Sequence, residues 1–380
     1  MKFRPGPLNY KKYALIIIAP LFFIAMAIWV LESYFGILYG DLTRIGQLDE
    51  GDFGWHMHQP SVPSELLKSF PLNEADIAVI GDSFSNGFTT TDPYSNGLIW
   101  QSRLVSAGFK PATLKWDTFQ PCSLGLNLGE VLRRAGFQGH YLVIENVEHG
   151  FQNRMQPICD ISGNIKAPAY SVAAPQTDPP VKGSPIFANK EPLGGEWVIN
   201  AFINKIRLDY LFKSGTSYME FGDARTRVVP INGCKFFSNR LCNYGLFYSH
   251  DFEKETFSSM DKVVSINRDL QNAGIQAIWL VVPDKSTIYL GYGKFDMHPY
   301  VNVWNEFAQH PELVAPDLGE AFSQQSRLIK DFYKPDDVHL STNGYLYLGD
   351  LMASLVRHLE WDNVKKYGKN PSAQMRSRHE

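Results

Sequence analysis

The sequence predicts an α/β protein: a three-layer α/β/α sandwich of about five parallel strands, with an N-terminal transmembrane helix and a long insertion. Three observations carry that expectation. Short apolar runs such as Ile77–Ile80 and Ile275–Pro283 have the length and β-branched content of buried strands. They alternate with amphipathic stretches that stop at glycine, the rhythm of parallel strands joined by crossover helices. Ahead of them lies Tyr13–Leu31, apolar and uncharged from end to end.

Taken in order, residues 1–12 carry Lys2, Arg4, Lys11 and Lys12 and no acid. That bias keeps the N-terminus cytoplasmic and sends the rest of the chain outward. The run 13–31 suits a hydrocarbon core of about 30 Å at about 1.5 Å per residue, and Pro20 is tolerable within a span. The next residues, Glu32-Ser33-Tyr34-Phe35-Gly36, offer no small-x-small cleavage site, so the segment reads as an uncleaved single-pass anchor of the cytoplasmic membrane. Residues 32–73, broken by Gly51, Gly54, Pro60 and Pro63, read as a juxtamembrane connector.

Strand Ile77–Ile80 opens the main domain, expected over 74–360. After it come a helix from Gly97 to Gly108, a strand over 112–119, a helix from Leu126 to Ala135 and a strand at Tyr141–Glu145. The rhythm then breaks over about 151–250, which holds Pro157, Pro168, Pro175, Pro179 and Pro180, and only 196–212 reads as helix. Insertions of this length on a compact scaffold usually serve a site or a partner. A helix over 252–274, the strand at Ile275–Pro283, a helix over 301–309, a strand at Leu313–Asp317 and a helix over 345–359 complete the domain, and 361–380 reads as a disordered basic tail.

Composition narrows the function classes. The 380 residues are 44% hydrophobic and 13% aromatic, with a formal net charge of −3, which gives no footing for nucleic acid. All four cysteines lie beyond the anchor, where disulfides persist. Cys234 and Cys242 close a short loop and are the expected pair, although spacing leaves three pairings open. No Cys-x-x-Cys or His-rich spacing points to a metal, and His56 and His58 read as solvated side chains; no cofactor is expected.

Two motifs carry chemistry. Gly81-Asp82-Ser83 sits at the carboxyl end of a buried strand, where α/β sheets place ligands and where a tight turn can present a hydroxyl. A serine nucleophile needs a general base, and the base needs an acid to hold its tautomer. Far downstream, Asp336-Asp337-Val338-His339 supplies both just before the last helix. Ser83 and His339 are therefore the candidate nucleophile and base, with Asp336 or Asp337 as the orienting acid.

Gly81-Asp82-Ser83-Phe84 with the late Asp336-x-x-His339 resembles the SGNH (GDSL-type) hydrolase superfamily of esterases and O-acyltransferases. That resemblance implies Asp336 as the orienting acid, with Asp337 as the alternative. Pro283-Asp284-Lys285 with Tyr289 resembles the strand end of membrane-anchored polysaccharide O-acetyltransferases of the alginate type. The resemblance implies oxyanion donors at the Ser83 backbone, at Gly125 and at Asn146, although the family's Gly-x-Asn-Asp is replaced here by Ile144-Glu145-Asn146-Val147. It further implies transfer of an acyl group, acetyl first, through an acyl-serine to hydroxyls of a cell-envelope polysaccharide. A membrane-bound O-acyltransferase would then be the implied acyl donor, and no metal is needed. Carbohydrate acetylesterase activity with the same triad, and a non-catalytic glycan-binding scaffold, are the alternatives.

Overall fold

A computed structural model describes residues 10–35, 40–86, 97–115, 120–121, 128–151, 158–160, 170–171, 195–252, 260–291 and 302–367. The N-terminal segment forms one helix, α1 (Tyr10–Phe35), with exposed Leu15, Ile16, Leu21 and Phe22. Among the described residues no helix is long and apolar enough to cross a membrane, and the spanning anchor remains a proposal.

Residues 40–53 are not the loose connector expected. They form two short helices, α2 (Asp41–Gly46) and α3 (Glu50–Phe53), the second capped by the Asp49 carboxylate accepting from Gly51 N–H. Leu42, Leu48 and Phe53 are fully buried in a second hydrophobic core shared with Leu208, Leu211, Phe221, Val228 and Leu246. The glycines and prolines that argue against a long helix leave room for two short ones.

The main unit begins with β1 (Ile77–Gly81), α4 (Leu98–Ser106), β2 (Pro111–Lys115), α5 (Leu128–Arg134) and β3 (Tyr141–Val147). The insertion comes next, with α6 (Gly195–Ser214) and an antiparallel sheet of β4 (Met219–Phe221), β5 (Thr226–Pro230) and β6 (Tyr244–Tyr248). The disulfide Cys234–Cys242 closes the β5–β6 connection, as the short loop suggested. Most of the proline-rich part of the insertion lies outside the described residues. The chain returns through α7 (Asp261–Asn272), β7 (Gln276–Val282), α8 (Lys285–Leu290), α9 (Val303–Ala308), α10 (Leu318–Gln325) and α11 (Thr342–Tyr367). The last helix runs into the stretch expected as disordered tail.

The central sheet has four strands in the order β7-β3-β1-β2, all parallel. The fifth strand expected at Leu313–Asp317 does not form. That segment gives β7 one backbone bond, Trp279 N–H to the Val314 carbonyl at 2.8 Å. Pro316 has no N–H to extend a ladder, and its carbonyl instead accepts from Leu318 as α10 starts.

Every residue of β1 and β3 is buried, including Glu145 and Asn146 in β3. Burying Ile77, Val79 and Ile80 completely is worth about 2 kcal/mol each. The chain steps from β1 to β2 on one side and then returns past β1 to β3. Right-handed crossovers therefore put α4 on one face of the sheet and α5 and α7 on the other. The packing agrees, since α4 meets α11 while α5 meets α7. The strand order reverses at β1, and α/β sheets open a crevice at the carboxyl end of such a strand.

Candidate active site

Ser83 comes directly after β1 at that reversal point. The turn is held by its own backbone: Ser85 and Asn86 N–H donate to the Asp82 carbonyl, and Asn86 Nδ2 donates to the Gly81 carbonyl at 2.8 Å. Asp82 caps it, Oδ1 accepting from Phe84 N–H at 3.0 Å and Oδ2 from Val147 N–H at 3.1 Å, which ties β1 to β3. Gly81 is required by close approach, because a Cβ there would stand 2.4 Å from the Glu145 carboxyl. Burial and the neighbouring Asp82 push Glu145 well above the usual carboxylate range. Its Oε2 accepts from Asp82 N–H at 2.9 Å.

Across 256 positions of sequence, His339 Nε2 meets Ser83 Oγ at 2.7 Å. On the other side of the ring, His339 Nδ1 meets Asp337 Oδ1 at 2.8 Å, and the same oxygen accepts from the His339 backbone N–H at 3.0 Å. Phe84 packs on the imidazole with ring centroids 4.9 Å apart. The structure thus joins Ser83 and His339 as the sequence suggested, and it places Asp337, not Asp336, at the imidazole.

The reason is electrostatic as well as geometric. Asp336 is fully buried beside Glu50, and burial, then Glu50, then Asp337 push its carboxyl well above the usual range. Burial also opposes the charge on Asp337, but His339 and Lys334 and the bonds from His339 outweigh it and hold Asp337 ionised far below the usual range. His339 itself is pulled down by burial but raised above its ordinary value by Asp337 and then by Asp41.

Two groups that the sequence motifs did not assign complete the frame. Lys285, at the start of α8, is fully buried and donates from Nζ to the carbonyls of Lys334, Pro335 and Asp337 at 2.7, 2.9 and 3.0 Å. It pins the loop that carries the acid and the base. Burial pulls its pKa down to about 7 against the pull of Asp336 and Asp337. Lys285 was visible only through the resemblance of Pro283-Asp284-Lys285. Asp41 had no signal at all. Its Oδ2 lies 3.7 Å from His339 Nδ1, brought there because Leu42 and Thr43 N–H donate to the Asp336 carbonyl. The approach demands Gly40, where a Cβ would fall 2.1 Å from that carbonyl oxygen.

Ser83 and His339 open onto a cavity of about 350 Å³, whose wall includes Phe84, His149, Tyr248 and Asp284. That volume is at the small end for ligand sites. His149 Nδ1 lies 2.7 Å from Asp284 and 3.4 Å from Asp251. Burial opposes its charge, but these two carboxylates raise it to about 9. The sets Asp41/Asp337/His339 and His149/Asp251/Asp284 each bring their ligand atoms within 4.8 Å, close enough to share a cation. In both, the imidazole Nδ1 already meets a carboxylate.

The oxyanion donors expected from the sequence fare unevenly. Phe84, Ser85 and Asn86 spend their N–H groups within the turn, which leaves the Ser83 N–H as its uncommitted donor among the described residues. Asn146 is fully buried in β3 and does not line the cavity; strand alternation turns it away from Val147, which does. Gly125 lies outside the described residues.

The fold and site together define a mixed α/β protein carrying a hydrogen-bonded serine, histidine and aspartate at the switch point of a parallel sheet. The chain matches no protein-family model, no curated protein and no solved structure.

Proposed function

We propose that this chain is an SGNH-type serine O-acyltransferase, anchored by α1 in the cytoplasmic membrane with its catalytic unit outside. It moves an acyl group, acetyl first, onto hydroxyls of a cell-envelope polysaccharide. The observation that carries this reading is the unbroken chain from Ser83 Oγ through His339 to Asp337.

In the proposed reaction Ser83 Oγ attacks the acyl carbonyl of the donor while its proton passes to His339 Nε2. Asp337 holds the Nδ1–H tautomer and stabilises the imidazolium. The Ser83 N–H is suited to the developing oxyanion; such a donor is typically worth about 3 kcal/mol. His339 returns the proton to the leaving group as acyl-Ser83 forms. An acceptor hydroxyl then gives its proton to His339 and attacks the acyl-serine, and Ser83 regains its hydrogen. Water in place of the acceptor would give an esterase, so transfer depends on the acceptor filling the cavity.

A disulfide and an apolar N-terminal helix support the extracytoplasmic, anchored setting. A fluorescent serine-directed phosphonate tests the reading: it should label the full chain and fail to label Ser83→Ala. Labelling that survives in Ser83→Ala, or none in the native chain, would leave the enzyme reading without support.

A further inference from the structure

Exposed large apolar side chains are unevenly distributed over the molecule. Among the described residues, all but Met57, Tyr218, Leu328 and Trp361 lie on α1 and α6, and these two helices pack against each other. On α6 they are Ile199, Phe202, Ile203, Ile206 and Tyr210, exposed by 45, 46, 47, 56 and 65%. Their spacing places them on one face. The opposite face, with Ala201, Leu208 and Leu211, is buried. Helix α6 therefore has apolar surface on two sides, one of them in the open.

An apolar patch this concentrated marks an interaction surface. Its cover can be read from α1, where Leu15, Ile16, Ile17 and Ile18 are consecutive and all exposed. Four consecutive positions point in different directions around a helix, which on the anchored reading of α1 suits lipid and not a one-sided protein partner. Helix α6 packs on α1, and its stripe ends in Tyr210 and Lys213, residues whose polar tips suit a headgroup layer.

We propose that α6 lies in the plane of the membrane, with its Ile199–Tyr210 stripe at the boundary between headgroups and acyl chains, and thereby holds the catalytic cavity against the bilayer surface. At 20 residues the helix would lie along about 30 Å of membrane. The proposal rests on the anchored reading of α1 and goes beyond it, because an anchor alone leaves the outer unit free to swing. Its connection to the site is short. Asn204 Nδ2 donates to the Gly46 and Gln47 carbonyls at 3.1 and 3.2 Å, and Lys205 Nζ reaches Asp52 at 3.1 Å. Those acceptors belong to or flank α2 and α3, and α2 carries Asp41 to His339. A helix seated in the membrane would then position the site for an acyl donor delivered at the bilayer.

The test places an environment-sensitive fluorescent amino acid at position 22, 203 or 328 of the full chain. Each protein is reconstituted in phosphatidylethanolamine–phosphatidylglycerol vesicles with brominated acyl chains. Strong quenching at 22 and 203 with none at 328 is the expected result. Quenching at 22 without quenching at 203 would overturn the α6 proposal and leave the anchor standing. An emission at 203 that shifts with protein concentration but ignores brominated lipid would overturn it in favour of a second copy on this face. No quenching at either 22 or 203 would remove the anchor and the α6 proposal together.

Discussion

Asp336 and Asp337 are adjacent, both fully buried, and driven in opposite directions: burial and Glu50 push the Asp336 carboxyl up, whereas His339 and Lys334 outweigh burial and hold Asp337 down. Of the two, only Asp337 meets the imidazole. The two aspartates are therefore expected to respond differently to the same substitution. Asp337→Asn should lower acyl transfer by about 10⁴-fold, as in other serine triads that lose the orienting charge. Asp336→Asn leaves the His339–Asp337 contact in place and should keep most of the activity. Steady-state rates of the two variants on a p-nitrophenyl ester check this, and equal losses would contradict it.

The pH profile depends on His339, which must be neutral to accept the Ser83 proton. Although burial works the other way, Asp337 and Asp41 raise its pKa above the ordinary 6.5. The rate should therefore rise with pH along a limb whose midpoint lies above 6.5. Asp41→Asn removes one of the raising charges and should move that limb to lower pH, with Ser83 still reactive. A limb that does not move would remove Asp41 from the account.

Lys285 gives a stability test. Lys285→Met leaves three buried carbonyls without their donor, at roughly 1–3 kcal/mol each before the loop relaxes. Denaturant unfolding should show a loss of about 3 kcal/mol or more. Phosphonate labelling of Ser83 should slow as well, because the loop holding His339 loses its clamp. A variant as stable and as reactive as the native chain would show the clamp to be idle.

His149 gives a second test of stability, this time against pH. Its folded pKa, about 9, is above the ordinary 6.5 because Asp284 and Asp251 outweigh burial. A raised pKa means that the folded form binds the proton more tightly, so the contribution is complete below about 6.5 and disappears as pH rises through about 9. The melting-temperature gap between the native chain and His149→Gln should be largest near pH 6 and shrink steadily to pH 10. A gap independent of pH would mean that His149 carries no charge in the fold.

Much of the framework was legible because it obeys local rules. The unbroken apolar runs at Ile77 and Ile275 could only be buried strands, and Gly108, Gly136 and Gly274 stop helices in left-handed backbone as expected. The meeting of Ser83 with His339 was inferred from chemistry, a nucleophile needing a base, and from the resemblance of the two motifs to the SGNH superfamily. The choice between Asp336 and Asp337 was not legible, since it turns on Glu50, which reaches Asp336 from nearly 300 residues away in the chain. Asp41 was hidden for the same reason, as a short helix in an apparent connector has no periodicity to reveal that it packs on a distant loop. The fifth strand failed at a proline whose missing N–H could have warned against it.

The most direct measurement of the central claim is the intact mass of the full chain after brief exposure to p-nitrophenyl acetate, and again after addition of a neutral oligosaccharide. The account predicts one acetyl group on Ser83 that disappears when the oligosaccharide is added and reappears on the sugar, with no adduct on Ser83→Ala. An acetyl group that forms equally without Ser83, or no adduct under any condition, would contradict it.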